Sequence, residues 1–500
     1  MTCAADVGRG PRSVDLEALR RSRGDRPQRV RPQPPPLRRQ YNSPRPTPEQ
    51  LQLNADIAAC ESADAVLDLV ASHLTVLNGV NASTALLRLA RCAGKRAAWL
   101  QGDPRLAQLL SAAERLFEGM ETRHLSTSLY ACGQLDITPP ADWLQRFWPT
   151  SASLLGEFLP QELSNTLYAC GQLGMTPPAD WLQRFWHASP SKICDFIPQD
   201  FSNTLYACGQ LDITPPADWL QRFWHASALK LGAFLPQGLS NTLYACGQLG
   251  MTPPADWLQR FWHASALKLG EFLPQELNNT LYACGKLGMT PPTDWLQSFS
   301  DTFEQSLHDA NRQDLSNTTL ALATLGLWEL PLWHGLWERM CQSLLHDTAD
   351  WNAEAQLHAQ QMYQAYQAAA TERPGLLSEP APELLAALRK SWIEGMGDTS
   401  SRLHAQVSAC LTSMGVAHVN ERWCERAERS IDIVVDGAKP VALEVDGPMH
   451  FLQDGRQDGS TQLRNRMLAA NGWRVVLVDY RKWNGLTQSQ QEEYVRALLA

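Results

Sequence analysis

No stretch of this 500-residue chain stays apolar for the roughly 18 residues that a membrane-crossing helix needs, so a soluble protein is expected. Positive charge is also in short supply: 43 lysines and arginines stand against 52 aspartates and glutamates, a net charge of −9. Binding to a polyanion rests largely on phosphate neutralisation by basic side chains, and this balance disfavours a generic polyanion binder. None of the twelve cysteines sits in a C-x-x-C pair, which removes the common spacings of zinc ligands and redox dithiols.

What the chain has in abundance is repetition. A 38-residue unit, LSNTLYACGQLGMTPPADWLQRFWHASALKLGEFLPQE in its cleanest form, recurs with Trp143, Trp181, Trp219, Trp257, Trp295 and Trp333 one period apart. Six units open at Leu125, Leu163, Phe201, Leu239, Leu277 and Leu315, and the last has lost its double proline. Within a unit, Leu163, Thr166, Leu167, Cys170 and Leu173 fall at three- and four-residue spacing, the stripe of an amphipathic helix, here helix A. Gly174 and Pro177-Pro178 end it, and Trp181, Leu182, Phe185 and Trp186 form the stripe of a second helix, B. Two such helices cannot bury both stripes alone, so successive units are expected to stack as a solenoid with degenerate capping ends. The column Cys132, Cys170, Cys208, Cys246, Cys284 reads as a small buried residue at a tight helix contact.

The periodicity predicts an Arg- and Pro-rich disordered leader over 1–49, a degenerate helical cap over 50–124, repeats over 125–352, a helical connector over 353–400 and a separate domain over 401–500. The leader's eleven arginines suggest an organelle transit peptide, a solvated tail being the alternative. In the domain, Ile431, Ile433 and Val435, then Val441, Leu443 and Val445, alternate with polar or small residues and read as two strands. A turn at Gly437-Ala438-Lys439 sets Asp432 opposite Glu444, with Asp446 on the same face, so three carboxylates converge.

The string NTLYACGQLGMTPPADWLQRF resembles the octotricopeptide repeats of green-algal proteins, and IDIVVDG, VALEVDGPMHF, TQLRNRMLAANGW and VVLVDYRKW resemble the RAP domain that often follows such arrays. Related arrays occur in the FAST kinase-like family. The resemblance implies a mainly α fold, a helix-pair solenoid followed by a small α/β domain of restriction-endonuclease-like type. It also implies a factor of the chloroplast stroma or mitochondrial matrix that acts on transcript stability, processing, splicing or translation, with single-stranded organellar RNA and other RNA-processing proteins as partners and no membrane.

Modular RNA readers set about one base against each helical repeat. On helix A the candidates for RNA contact are Asn165, Tyr168 and Gln172, then Asn203, Tyr206 and Gln210, Asn241, Tyr244 and Gln248, and Asn279, Tyr282 and Lys286. The invariant asparagines either bridge repeats or hold a common group, and the tyrosines either stack on bases or pack between repeats. Discrimination is expected in the varying columns: Glu162, Asp200, Gly238, Glu276; Gln172, Gln210, Gln248, Lys286; and Asp136, Gly174, Asp212, Gly250. The columns Arg146, Arg184, Arg222, Arg260 and Lys192, Lys230, Lys268 offer local basic stripes.

Two alternatives stand beside RNA binding. One is a metal-dependent endoribonuclease with Asp432, Glu444 and Asp446 catalytic and Asp432 and Glu444 holding magnesium, in which Asp446 departs from the Glu-x-Lys strand of restriction-endonuclease-like enzymes and Lys439, Arg464 or Lys482 substitutes for the lysine. The other is a protein-binding scaffold. RNA binding alone requires no cofactor.

Overall fold

A computed structural model describes residues 45–344, 351–396, 401–437 and 440–500. The expected disordered leader lies outside the described residues up to residue 44, and Thr47 already caps a helix, Pro48–Ala59. The chain divides into two compact units, Met1–Asp195 and Phe196–Ala500.

In the first unit four helix pairs stack. The two that carry the repeat sequence are Thr122–Leu135 with Ala141–Leu154 and Pro160–Gln172 with Ala179–Ala188. The stretch without legible register builds the other two, Pro48–Ala59 with Ala63–Ser72 and Gly79–Ala93 with Pro104–Leu116, packed in the same alternating manner. In the second unit the repeat pairs begin with the A helices Pro198–Gln210, Pro236–Gln248, Pro274–Leu287 and Arg312–Leu325. The expected connector is a further pair: Ala353–Glu372 lies on Arg312–Leu325, and Pro382–Gly395 lies on Ala353–Glu372.

One glycine column explains how the A helices pack. A Cβ placed on Gly209 would sit 3.0 Å from Ala245 Cα, and one on Gly247 would sit 3.0 Å from Ala283 Cα; Gly133 meets Ala169 in the same way. The B layer is wide where the A layer is tight, because it carries the tryptophans. Trp181, Trp257 and Trp295 are buried, and each donates its indole N–H to a serine of the preceding B helix, Ser151, Ser227 and Ser265, at 2.9–3.0 Å. The cysteine column is 0–1 % exposed and its thiols are pushed up by burial, Cys132 to about 12, as expected of a packing residue.

The C-terminal domain carries a four-stranded sheet of order β1 (His418–Cys424), β2 (Arg429–Val435), β3 (Val441–Asp446), β4 (Arg474–Asp479), antiparallel except for the β3–β4 pair. Helices Arg402–Ser413 and Gln488–Leu499 cover its apolar face through Val407, Leu411 and Val495, and Gly459–Ala470 covers the other. The topology is a helix, three strands, a helix and a fourth strand. The two strands expected from alternation are β2 and β3, and two residues of their connecting turn, 438 and 439, lie outside the described residues.

Two expectations follow. Gly247→Ala forces backbone against backbone, and the melting temperature should fall by the equivalent of about 1–3 kcal/mol, whereas Gly270→Ala, with open space around its Cβ, should leave it unchanged. Asp314 accepts the Asn311 N–H at 3.1 Å, and burial pushes its carboxyl up to about 6 against the pull of that bond and of Asn278. A folded-state value above the unfolded one, about 3.9, gives stability that is full below pH 4 and is lost as pH rises through 6. The melting temperature of Asp314→Asn, taken relative to the parent, should therefore increase between pH 4 and pH 7; a constant difference contradicts it.

Candidate functional site

In the second repeat helix A turns one stripe away from its neighbours, made of Gln161, Asn165, Tyr168 and Gln172 at helical spacing. Asn165, Tyr168, Asn279, Tyr282 and the column Gln172, Gln210, Gln248, Lys286 are partly exposed. Asn203 and Asn241 are buried, at 9 and 6 % exposed, and so are Tyr206 and Tyr244, at 6 and 4 %. The tyrosine rings form ladders instead: Tyr206 to Tyr244 spans 6.3 Å between centroids, Tyr244 to Tyr282 5.9 Å, and Tyr130 to Tyr168 6.3 Å. Burial raises the Tyr206 hydroxyl to about 12. Packing between repeats is what the rings of Tyr206 and Tyr244 do, while Tyr168 and Tyr282 stay partly exposed. Asn317 bridges to the following helix by accepting from Gln361 at 2.9 Å.

Two of the three varying columns have local structural work. Glu162, Asp200 and Glu276 reach back to the N–H of Leu159, Ile197 and Leu273 at 2.9–3.0 Å, the capping contact of each A helix. Asp136, Gly174, Asp212 and Gly250 follow each A helix with φ of 52–59°, a left-handed position that restricts the column to glycine and aspartate. Variation free of such constraint remains at Gln172, Gln210, Gln248 and Lys286. The lysine column is also structural: Lys192 donates to Gly156 O at 2.7 Å and to Phe158 O, Lys230 to Phe196 O at 2.6 Å, and Lys268 to Gly232 O at 2.9 Å and to Phe234 O. Of the arginine column, Arg146 pairs with Glu114, while Arg184, Arg222 and Arg260 are exposed on the B layer.

The three carboxylates do converge, at a fork. The β2–β3 ladder ends at Ile433 and Leu443, one pair short of Asp432 and Glu444, and Val445, which has no partner on β2, donates its N–H to Asp432 Oδ2 at 2.7 Å. Glu444 and Asp446 are 1 and 0 % exposed, and Arg464, from the helix Gly459–Ala470, reaches Glu444 Oε2 at 3.2 Å and Asp446 Oδ1 at 2.6 Å. Gln457 donates to the other oxygen of Asp446 at 2.6 Å. Burial raises Glu444 well above the ordinary carboxylate range, with Asp432 and Asp446 adding to the shift and Arg464 opposing it. Lys482 is exposed, and Lys439 lies outside the described residues. A guanidinium between two carboxylates takes the space and the charge of a cation, so Asp432, Glu444 and Asp446 do not fit the magnesium site that the restriction-endonuclease-like pattern implies.

What the sequence did not disclose is that this domain docks on the repeats. Arg466 donates to Ala323 O at 2.6 Å and Thr324 O at 2.8 Å, carbonyls at the end of an A helix, and to Glu372 at 2.6 Å. Gln453 takes Gly250 O at 2.8 Å and Leu249 O at 2.9 Å, and Arg456 and Asp454 hold Thr252. Gly459 lies so close to Gly285 O that no side chain fits there. A second tether joins Glu428 to Tyr363 and Arg389 of the last helix pair. The fork thus sits beside the A-helix ends that carry Gln248 and Lys286: Gln462, packed on Gly288, donates to Gln457 O, and Gln457 reaches Asp446. The run of glutamines and arginines in 453–466 was the only available signal. Arg466→Ala leaves the Thr324 carbonyl and Glu372 Oε1 without their partner, at a cost of about 1–3 kcal/mol each for whatever stays buried. Amide exchange should accelerate selectively in 451–470 and at the ends of the facing A helices; uniform protection would contradict the docking.

The RAP domain profile matches residues 443–498, and the profile of the Tbc2 translation factor N-terminal domain matches residues 179–328. A rice protein (Oryza sativa subsp. japonica) described as RAP domain-containing protein, chloroplastic, is 29 % identical over 180 residues, an alignment that covers 34 % of this chain and 27 % of the rice protein. No helix among the described residues is long and apolar enough to cross a membrane. The domain of fork and sheet is therefore a RAP domain, carried on an array of helical repeats similar to the N-terminal domain of the Tbc2 translation factor.

Proposed function

We propose that this chain is an RNA-binding protein of an organelle, chloroplast or mitochondrion, that acts after transcription on the stability, processing, splicing or translation of a transcript. The observation that carries the reading is the stripe of neutral hydrogen-bonding side chains repeated on successive A helices, with the RAP domain held against the same helix ends. Asn and Gln side chains suit the exposed edges of unpaired bases, which is how single strands are read. The likeness to a translation factor's N-terminal domain and to a chloroplastic RAP-domain protein supports it. Sequence preference then rests on Gln172, Gln210, Gln248 and Lys286, and three glutamines in four positions suit a target of low sequence complexity.

The fork favours the hydrolytic alternative less, since Arg464 holds two of its three carboxylates. The scaffold alternative rests on the acidic balance of the chain alone. Fluorescence anisotropy with single-stranded RNA pools and duplex DNA separates the readings. Single strands should bind in preference, and Gln248→Ala and Lys286→Ala should each weaken binding roughly fivefold, about 1 kcal/mol. In cells, crosslinking and sequencing should recover an organellar transcript. Equal affinity for duplex DNA, or variants that bind as the parent does, would remove the proposal.

A further inference from the structure

Arg464 answers one end of the carboxylate fork and leaves the other without a basic partner from lysine or arginine among the described residues. On the β1–β2 side, Glu421 stands in the register position opposite Asp432, between the pairs Asn420–Ile433 and Arg422–Ile431, and the ladder skips it because its backbone is left-handed, with φ of 53°. Like charges set opposite one another across a sheet repel. The group facing them is His404, 3 % exposed at the start of the helix Arg402–Ser413. Its Nδ1 lies 3.0 Å from Glu421 Oε1, and its Nε2 lies 3.3 Å from Asn420 Oδ1.

One ligand atom from each of His404, Glu421 and Asp432 falls within 4.8 Å of the other two. From these positions we infer a site for a divalent transition-metal cation, Mn2+ or Zn2+, bound by His404 Nδ1, Glu421 and Asp432. The second shell is in place. Asn420 Oδ1 accepts from Nε2–H, which leaves Nδ1 as the unprotonated, ligating nitrogen, the arrangement that fixes metal-bound histidines generally. Ser430 Oγ holds the far oxygen of Glu421 at 3.1 Å, and the Val445 N–H holds Asp432 Oδ2. These bonds leave one oxygen of each carboxylate for the ion.

A separate observation points to the same place. Glu444 is 1 % exposed, its Oε2 is taken by Arg464, and its Oε1 has no hydrogen-bond partner in the structure. A buried carboxylate oxygen without a partner is costly, and a cation on the neighbouring Asp432 relieves it by charge. One imidazole with two carboxylates selects Mn2+ or Zn2+ over Mg2+, which prefers oxygen ligands and its own water. Three protein ligands leave open positions on the exposed Glu421 side, where water or a phosphate oxygen completes the shell. The site is distinct from the pairing of Asp432 with Glu444 expected from the strands, and it does not depend on RNA binding.

Manganese is the probe, because it competes poorly for thiols and the chain has twelve cysteines. The full-length chain, stripped with EDTA, is titrated with Mn2+ while the paramagnetic resonance of the free ion is followed. One saturable ion per chain is expected. His404→Gln and Asp432→Asn should weaken it well beyond tenfold, and Asn420→Ala by roughly ten- to a hundredfold. Glu421→Gln alters an exposed side chain and should weaken the ion while circular dichroism and the melting temperature stay as in the parent. Absence of saturable binding by the folded parent, or unchanged affinity in His404→Gln and Glu421→Gln, overturns the site and leaves a histidine–carboxylate contact in its place.

Discussion

The near contact of glycine and alanine between successive A helices is the constraint on which the rest depends. With no Cβ at Gly133, Gly209, Gly247 or Gly285, the next helix comes to within van der Waals distance of the backbone itself. The B layer, filled by tryptophan and phenylalanine, stays wide. These contacts set the A helices of neighbouring repeats side by side within each unit. The same closeness buries Tyr206 and Tyr244 in ladders and removes them from the surface that a ligand can reach.

Tight A helices also end together, and their terminal carbonyls form an edge of unsatisfied acceptors. The RAP domain uses this edge. Arg466 and Gln453 donate to carbonyls at the ends of two A helices, and side chains of Thr252, Glu372, Tyr363 and Arg389 add to the docking. Position along the array follows from the second tether at Glu428.

Much of this was legible in the chain. The helix pair, its proline-opened B helix, the buried tryptophan and cysteine columns and the alternating strands β2 and β3 all follow from periodicities of 3.6 and 2, which survive in any tertiary setting. The helix pairs over 48–116 and 353–395 were not legible as repeats, because their cores keep the packing while losing the signature residues. Two columns singled out for specificity, Glu162 and Asp136 with their equivalents, vary for local reasons, since capping tolerates Glu or Asp and a left-handed position tolerates Gly or Asp. Single-column variation cannot separate such tolerance from recognition.

The sequence by itself determined the repeating unit, the faces it buries and the existence of a separate sheet domain, because each rests on contacts between residues near in the chain or one period apart. Only the tertiary structure decided where the RAP domain sits, that Arg464 and not a lysine meets Glu444 and Asp446, and that His404 lies over Glu421 and Asp432. Those contacts join residues tens to hundreds of positions apart on elements of different type, and no spacing rule along the chain records them.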